Sequence, residues 1–368
     1  MSQTRLDVTR LLRRDITSLE PYPAPQPLED IARDLGVSPT DIAKLDQNEN
    51  PYGCSPRVVE ALANFAWYHV YPDPDHRVLR ERLAEYTGSP VESIVVGNGS
   101  DELIDLLLRL VIEPGDRVVS ASPTFGYYTT AAQVAGAEYV TVPRGPAFEI
   151  DVSTIAAAMT ERTKLILVAS PNNPTGNATP LHEIKKLLDL NAIVVVDEAY
   201  FEFCGQTASG LLANSAVENL VVLRTFSKWA GLAGLRLGYG IFPDALLGAV
   251  NALKAPYSVN RAAEVAGLAS LDDIDYLRST VALILVERER LRAGLESLGW
   301  IEPHPSDANF LLCDVIDHEA ADVQNYLAKR GILVRRYSGP RLDNSLRISV
   351  GRSDHTDRLI AALREYAS

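Results

Sequence analysis

AIVVVDEAY (Ala192–Tyr200) is the stretch whose reading decides the fold. Its apolar residues follow one another without alternation, most are β-branched, and the run is too short for a helix. That pattern suits a strand covered on both faces, as in a mostly parallel sheet with helices above and below. Working outward, the same kind of run recurs as SIVVG (Ser93–Gly97), DRVVSAS (Asp116–Ser122), AEYVTV (Ala137–Val142), KLILVAS (Lys164–Ser170), LVVLRT (Leu220–Thr225) and RLGYGIF (Arg236–Phe242). Helix-like segments such as DELIDLLLRLV (Asp101–Val111) and LHEIKKLLDL (Leu181–Leu190) lie between them. Alternation of this kind gives an α/β class.

From about Tyr257 the character changes. Long helical stretches, EVAGLASL and LILVERERLRAGLESL, lead into a smaller α+β region with FLLCDV (Phe310–Val315), GILVRR (Gly331–Arg336) and SLRISVG (Ser345–Gly351) as strands. At the other end, PYPAPQP (Pro21–Pro27) reads as an extended arm, because X-Pro steps disfavour helix. The expected division is an N-terminal arm (1–45) belonging to a small domain, a large domain (46–256), and the rest of the small domain (257–368).

Composition narrows the function. The 368 residues are 46% hydrophobic and 23% charged, ordinary values for a globular chain with a full core. A formal net charge of −13 argues against nucleic acid or an anionic membrane as partner, since either favours a basic face. Cys54, Cys204 and Cys313 lie far apart, which disfavours a zinc site or a disulfide framework. No run reads as a signal peptide or membrane span, so a cytoplasmic protein is expected.

The polar residues collect where strands end and loops begin, the place where α/β sheets put their functional groups. GNGSDE (Gly97–Glu102) sets Gly99, Ser100 and Asp101 at the start of a helix, where free N–H groups bind a phosphate unless Ser100 or Asp101 simply caps the helix. Phe125 and Tyr128 in SPTFGYY are candidates to stack on a planar ring, or else core. PNNPTG (Pro171–Gly176) carries Asn173, whose amide suits a phenolic oxygen. Asp197 ends an apolar strand, a costly place for a carboxylate without a cationic partner such as a protonated pyridine nitrogen; a helix cap is the plainer reading. TFSKWAGLAGLRLGY (Thr225–Tyr239) holds Lys228 at a strand end with Arg236 eight residues on. Desolvation beside cations makes a lysine nucleophilic, as Schiff-base chemistry requires.

In that order and with those flanks, Asn173, Asp197, Tyr200, Lys228 and Arg236 resemble the fold-type I pyridoxal-phosphate enzymes. The motifs LDQNENPYG (Leu45–Gly53), YPDP (Tyr71–Pro74), GNGSDE, SPTFGYY, SPNNPTG, VVDEAYFEF, RTFSKWAGLAGLRLGYGI, KAPYSVN, SDANFLL, GILVRRYSG and LRISVG resemble the histidinol-phosphate aminotransferase family over nearly the whole chain.

The resemblance implies a fold of that type, with a mostly parallel seven-stranded sheet in the large domain. It implies pyridoxal 5′-phosphate held covalently by Lys228, with Asp197 on the pyridinium nitrogen, Asn173 and Tyr200 on the 3′-oxygen, and Phe125 on the ring face. Gly99, the Ser100 and Asp101 amides, Thr225, Ser227 and Arg236 would hold the 5′-phosphate, and Tyr71 would reach it from a second subunit of a homodimer. Arg347 would bind the donor's carboxylate and the other substrate's phosphate, with Arg335 assisting, and Tyr22 of the arm would close over the substrate. The catalytic set would be Lys228, Asp197 and Tyr200. Many members carry Pro-Gly-Lys-Pro after the arm tyrosine, where this chain has Ala24-Pro25-Gln26-Pro27; the departure touches the arm's closing motion and not the cofactor site.

The implied reaction moves an amino group between L-histidinol phosphate and 2-oxoglutarate. Two rivals share the scaffold: an aromatic amino-acid aminotransferase and a threonine-phosphate decarboxylase. A third, a transcriptional sensor, would need a DNA-binding domain that the acidic chain has little room for before Leu45.

Overall fold

The structure is a computed structural model that describes residues 7–13, 16–17, 19, 26–213 and 217–367. After a short strand, β1 (Ala43–Leu45), come the seven expected runs: β2 (Ile94–Gly97), β3 (Arg117–Ser122), β4 (Glu138–Pro143), β5 (Thr163–Ala169), β6 (Ile193–Asp197), β7 (Leu220–Thr225) and β8 (Gly238–Ile241). They form one sheet in the order β2-β8-β7-β6-β5-β3-β4. β8 runs antiparallel to both of its neighbours, and the other pairings are parallel.

The unbroken apolar runs have the cause expected of them. On β6, Val194 and Val196 face one hydrophobic core while Val195 faces another. On β5, Ile166 and Val168 join the first core and Leu165 and Leu167 the second. Side chains alternate across a strand, so a sheet covered on both sides needs apolar residues at every position.

The remaining strands, β9 (Ile301–Pro303), β10 (Phe310–Val315), β11 (Ile332–Arg336) and β12 (Ser345–Ser349), join β1 in a second sheet ordered β1-β11-β12-β10-β9. β1 pairs with β11 in parallel, and the register of β11 with β12 sets Arg335 opposite Arg347. A 23-residue helix, Ile274–Glu296, leads the chain into β9. β1 and β9 were not legible as strands, since each is three residues long at a sheet edge.

The parallel strands β5, β6 and β7 end side by side, with Ala169 opposite Asp197 and Asp197 opposite Leu223. The stretch after β1 crosses to these ends from the second sheet: the Asn48 N–H donates to Ser349 Oγ (2.8 Å), and Asn309 Nδ2 donates to the Asn48 carbonyl (3.0 Å). The site is therefore built where the two sheets meet.

Candidate active site

A cavity of about 1380 Å³ opens at the carboxyl ends of the large sheet. Ser100, Asp101, Phe125, Asn173, Asp197, Tyr200, Thr225, Ser227, Lys228, Arg236, Arg335 and Arg347 line it, so one wall gathers twelve of the residues that sequence had singled out. Gly99 stands just behind that wall. Its φ of 82° makes it the N-cap of helix Ser100–Val111, and a Cβ there would come within 2.8 Å of Arg236 Nη2.

No side chain caps the helix that starts at Ser100. The simple cap by Ser100 or Asp101 is thereby excluded, and the first-turn N–H groups remain as donors. Gly238 lets this helix end rest on the sheet, since a Cβ there would collide with Ser100 N. Arg236 lies beside the same turn. Its Nη2 donates to Asp101 Oδ2 (3.0 Å) and its Nη1 to Ser227 Oγ (3.3 Å), while Thr225 Oγ1 lies 2.9 Å from Ser227 Oγ. An uncapped helix start, a guanidinium and two hydroxyls form an anion-binding corner.

Lys228 Nζ donates to the Gln47 carbonyl (3.0 Å). Burial, then the nearby Arg347 and Arg236, push its pKa down to about 8, against the opposing pull of Glu49 and Asp101. A lysine in this state supplies a neutral amine near physiological pH.

Among the described residues, Asp197 has only neutral hydrogen-bond partners. Tyr128 OH donates to Oδ2 (2.9 Å) and the Ala199 N–H to Oδ1 (3.2 Å). Burial pushes its pKa up to about 6, moderated by the Tyr128 hydrogen bond. Tyr128 thus serves neither as the stacking group nor as plain core: from the first turn of helix Tyr127–Ala135 it holds the carboxylate. Phe125 is the ring on the cavity wall, braced by Tyr128 with centroids 5.5 Å apart.

Arg347 is 5% exposed, which rules out a solvated edge charge. Its Nη1 donates to Asn173 Oδ1 (2.6 Å) and its Nη2 to the Asp46 carbonyl (2.5 Å), while its Nε is buried without a partner. These acceptors are neutral, so the guanidinium keeps its charge for an anion in the cavity. The same bond turns the Asn173 oxygen to the arginine and leaves its NH2 as the donor the sequence reading wanted.

Tyr200 is buried, and burial pushes its hydroxyl up to about 12, so it is protonated at neutral pH. Its oxygen accepts from Asn48 Nδ2 (3.0 Å). Asn48, Tyr337 (OH to Asn173 Oδ1, 3.3 Å) and the Gln47 carbonyl are site groups that sequence reasoning missed. Tyr71 is not brought to the cavity of its own chain: it is 77% exposed and stacks on Tyr257 at 4.7 Å. Tyr22 lies outside the described residues.

Comparison with known proteins agrees with this geometry. The family described as aminotransferase class I and II matches residues 40–363. The chain belongs to that family. The histidinol-phosphate aminotransferase of Roseiflexus castenholzii is 49% identical over 98% of this chain and 99% of its own length. The chloroplastic histidinol-phosphate aminotransferase of Nicotiana tabacum is 43% identical over 99% of this chain and 89% of its own. Among solved structures, the histidinol-phosphate aminotransferase of Sinorhizobium meliloti, in complex with pyridoxal-5′-phosphate, matches with a TM-score of 0.87 at 28% identity, covering 99% of this chain and 98% of that one. Within the class I and II aminotransferases the chain thus sits with the histidinol-phosphate aminotransferases, and its fold is fold-type I.

The buried carboxylate gives a pH-dependent prediction. The folded, cofactor-free chain keeps the Asp197 proton up to about pH 6, whereas an ordinary aspartate carboxyl releases it near 3.8. Stability therefore falls as pH rises through that window, and the loss, roughly 1–3 kcal/mol, persists above it. Asp197→Asn removes this titration. Denaturant unfolding of the cofactor-free proteins should find the variant gaining on the parent between pH 4 and pH 8; an unchanged difference across that range would contradict the assignment.

Proposed function

We propose that the chain transfers the amino group of L-histidinol phosphate to 2-oxoglutarate, giving 3-(imidazol-4-yl)-2-oxopropyl phosphate and L-glutamate, with pyridoxal 5′-phosphate as cofactor. The observation that carries this reading is the buried Arg347, ion-pair-free among the described residues, with Arg335 opposite it on the next strand and Lys228 lining the same cavity. A planar fork accepts a phosphate or a carboxylate in the same two-pronged way. Both partners of the exchange carry such an anion.

The residues present fit the cofactor. The helix start at Ser100 with Arg236, Thr225 and Ser227 suits its phosphate. Asp197, a buried carboxylate with only neutral partners among the described residues, suits a protonated ring nitrogen. Tyr200 and Asn173 offer donors for the phenolic oxygen, and Phe125 offers a flat face. When bound, the cofactor supplies the electron sink that takes up the pair left as the substrate carbon loses its proton.

The chain's own work is positioning and proton movement. Lys228 Nζ, neutral above about pH 8, would move the proton between the carbon that bears the amino group and C4′ of the cofactor. Arg347 and Arg335 fix the anionic end, so that this carbon stands within the amine's reach. Asp197 keeps the ring nitrogen charged, and Tyr200 holds its proton toward the cavity.

With this goes a homodimer in the cytoplasm, divided into the arm (1–45), large domain (46–256) and small domain (257–368). The two separate sheets support the division, and free thiols at Cys54, Cys204 and Cys313 suit a reducing compartment. Exposed Trp67, Tyr68 and Tyr71 support the dimer: they form an apolar group that a second copy would cover, carrying Tyr71 to the partner's phosphate corner.

Single-turnover titration of the pyridoxal form with L-histidinol phosphate, L-phenylalanine and L-tyrosine tests the substrate. The reading expects histidinol phosphate to be preferred by roughly 100-fold or more, as an anion met by an otherwise unpaired arginine allows. Equal turnover of phenylalanine would move the chain to the aromatic class. The dimer has its own test. Tyr71→Ala and Lys228→Ala proteins, each close to inactive, should on dissociation and mixing recover about a quarter of parental activity, because half of the dimers then contain one intact site. No recovery would remove Tyr71 from the partner's site.

A further inference from the structure

Three consecutive residues after β1 each serve a different side chain of the site. The Asp46 carbonyl accepts from Arg347 Nη2 (2.5 Å), the Gln47 carbonyl from Lys228 Nζ (3.0 Å), and Asn48 Nδ2 donates to Tyr200 OH (3.0 Å). Asn48 is the most constrained of the three. It is 1% exposed, its φ is 56°, and every polar group it has is engaged. Its N–H donates to Ser349 Oγ (2.8 Å), its Oδ1 lies 2.8 Å from the same oxygen, and its carbonyl accepts from Asn309 Nδ2 (3.0 Å).

We propose that Asn48 is a positioning residue that holds the Tyr200 hydroxyl as a proton donor toward the cavity. The inference rests on the place given to Tyr200 in the proposed function and goes beyond it by naming what sets the direction of its proton. A tyrosine hydroxyl has one hydrogen. An amide NH2 cannot accept it, so with Asn48 Nδ2 facing the oxygen the hydrogen points elsewhere, and Tyr200 lines the cavity. The opposite setting of the amide would put Oδ1 on Tyr200 and draw the proton away from any ligand.

Ser349 selects between the two settings. Its oxygen already accepts the Asn48 N–H, so its own hydrogen goes to Asn48 Oδ1. With the amide reversed, that oxygen would face two donors and its hydrogen would lose this acceptor. The Tyr200 ring cannot swing to evade the choice, because Phe310 braces it edge-on at 5.2 Å. Burial keeps the phenol protonated at neutral pH, which such a donor requires.

The test reads the holoenzyme's visible absorption against pH, and separately the affinity of the cofactor-free protein for pyridoxal 5′-phosphate. A donor on the phenolic oxygen draws negative charge off it, so the neighbouring nitrogen gives up its proton at lower pH. Removing the donor raises the spectral midpoint. Four variants are compared: Tyr200→Phe, Asn48→Asp, Asn48→Gly and Ser349→Ala. Glycine keeps the left-handed backbone while deleting the amide, and Ser349→Ala frees the amide to reverse without touching Asn48, should the others fold poorly.

Tyr200→Phe should raise the midpoint and weaken cofactor binding roughly 3- to 10-fold. Asn48→Asp should shift the midpoint nearly as far, because a carboxylate there can only accept the tyrosine's proton. Asn48→Gly and Ser349→Ala should shift it less, in the same direction. In the Tyr200→Phe background Asn48→Gly and Ser349→Ala should shift it no further, whereas the added charge of Asn48→Asp still raises it. A flat response to Tyr200→Phe would overturn the reading of Tyr200 itself, and the Asn48 proposal with it. A shift for Tyr200→Phe, with Asn48→Gly and Ser349→Ala both silent or both fully additive to it, would overturn the Asn48 proposal alone.

Discussion

The structure depends on a carboxylate that is hard to keep where it is. Asp197 closes a strand buried on both faces, and its partners within the chain, a phenol and a backbone N–H, carry no charge. Ionising such a group in an apolar site is expensive. Three neutral features make it tolerable and aim it: the strand end, the Tyr128 hydroxyl and the Ala199 turn. Around that point Lys228, Arg236 and Arg347 line the cavity together with Glu49 and Asp101, and Arg236 pairs with Asp101.

The two sheets divide the labour. The large sheet supplies the groups proposed to face a bound ring and its phosphate, all from strand ends or the turns that follow them. The second sheet supplies Arg335 and Arg347, in register with each other. What joins them is the stretch from Asp46 to Asn48, whose backbone and amide reach the lysine, the arginine and the tyrosine together. A change in how the sheets sit would therefore reach all three side chains at once.

Much of this was legible in the sequence, for a reason particular to sheets covered on both faces. AIVVV and LILVA are apolar at every position, so strand identity and burial can be read from the same letters, and the residues just past each run mark the site. Edge strands of three residues, Ala43–Leu45 and Ile301–Pro303, carry no such signal. The roles of Asn48 and Tyr128 were hidden for another reason. Asn48 acts on a tyrosine 152 positions away and Tyr128 on an aspartate 69 away, and neither neighbour is implied by local pattern. The expected contact of Tyr71 is not met within one chain, because its exposed ring stacks on Tyr257 and does not line its own cavity.

The central claim is that Asp197 is placed to hold a positive charge on the ring of a bound pyridoxal phosphate. The direct measurement is the 15N chemical shift of cofactor labelled at the ring nitrogen, in the holoenzyme at pH 7 to 8. The account predicts a protonated nitrogen in the parent protein and an unprotonated one in Asp197→Ala. An unprotonated nitrogen in the parent, or a protonated one that survives the substitution, would contradict it.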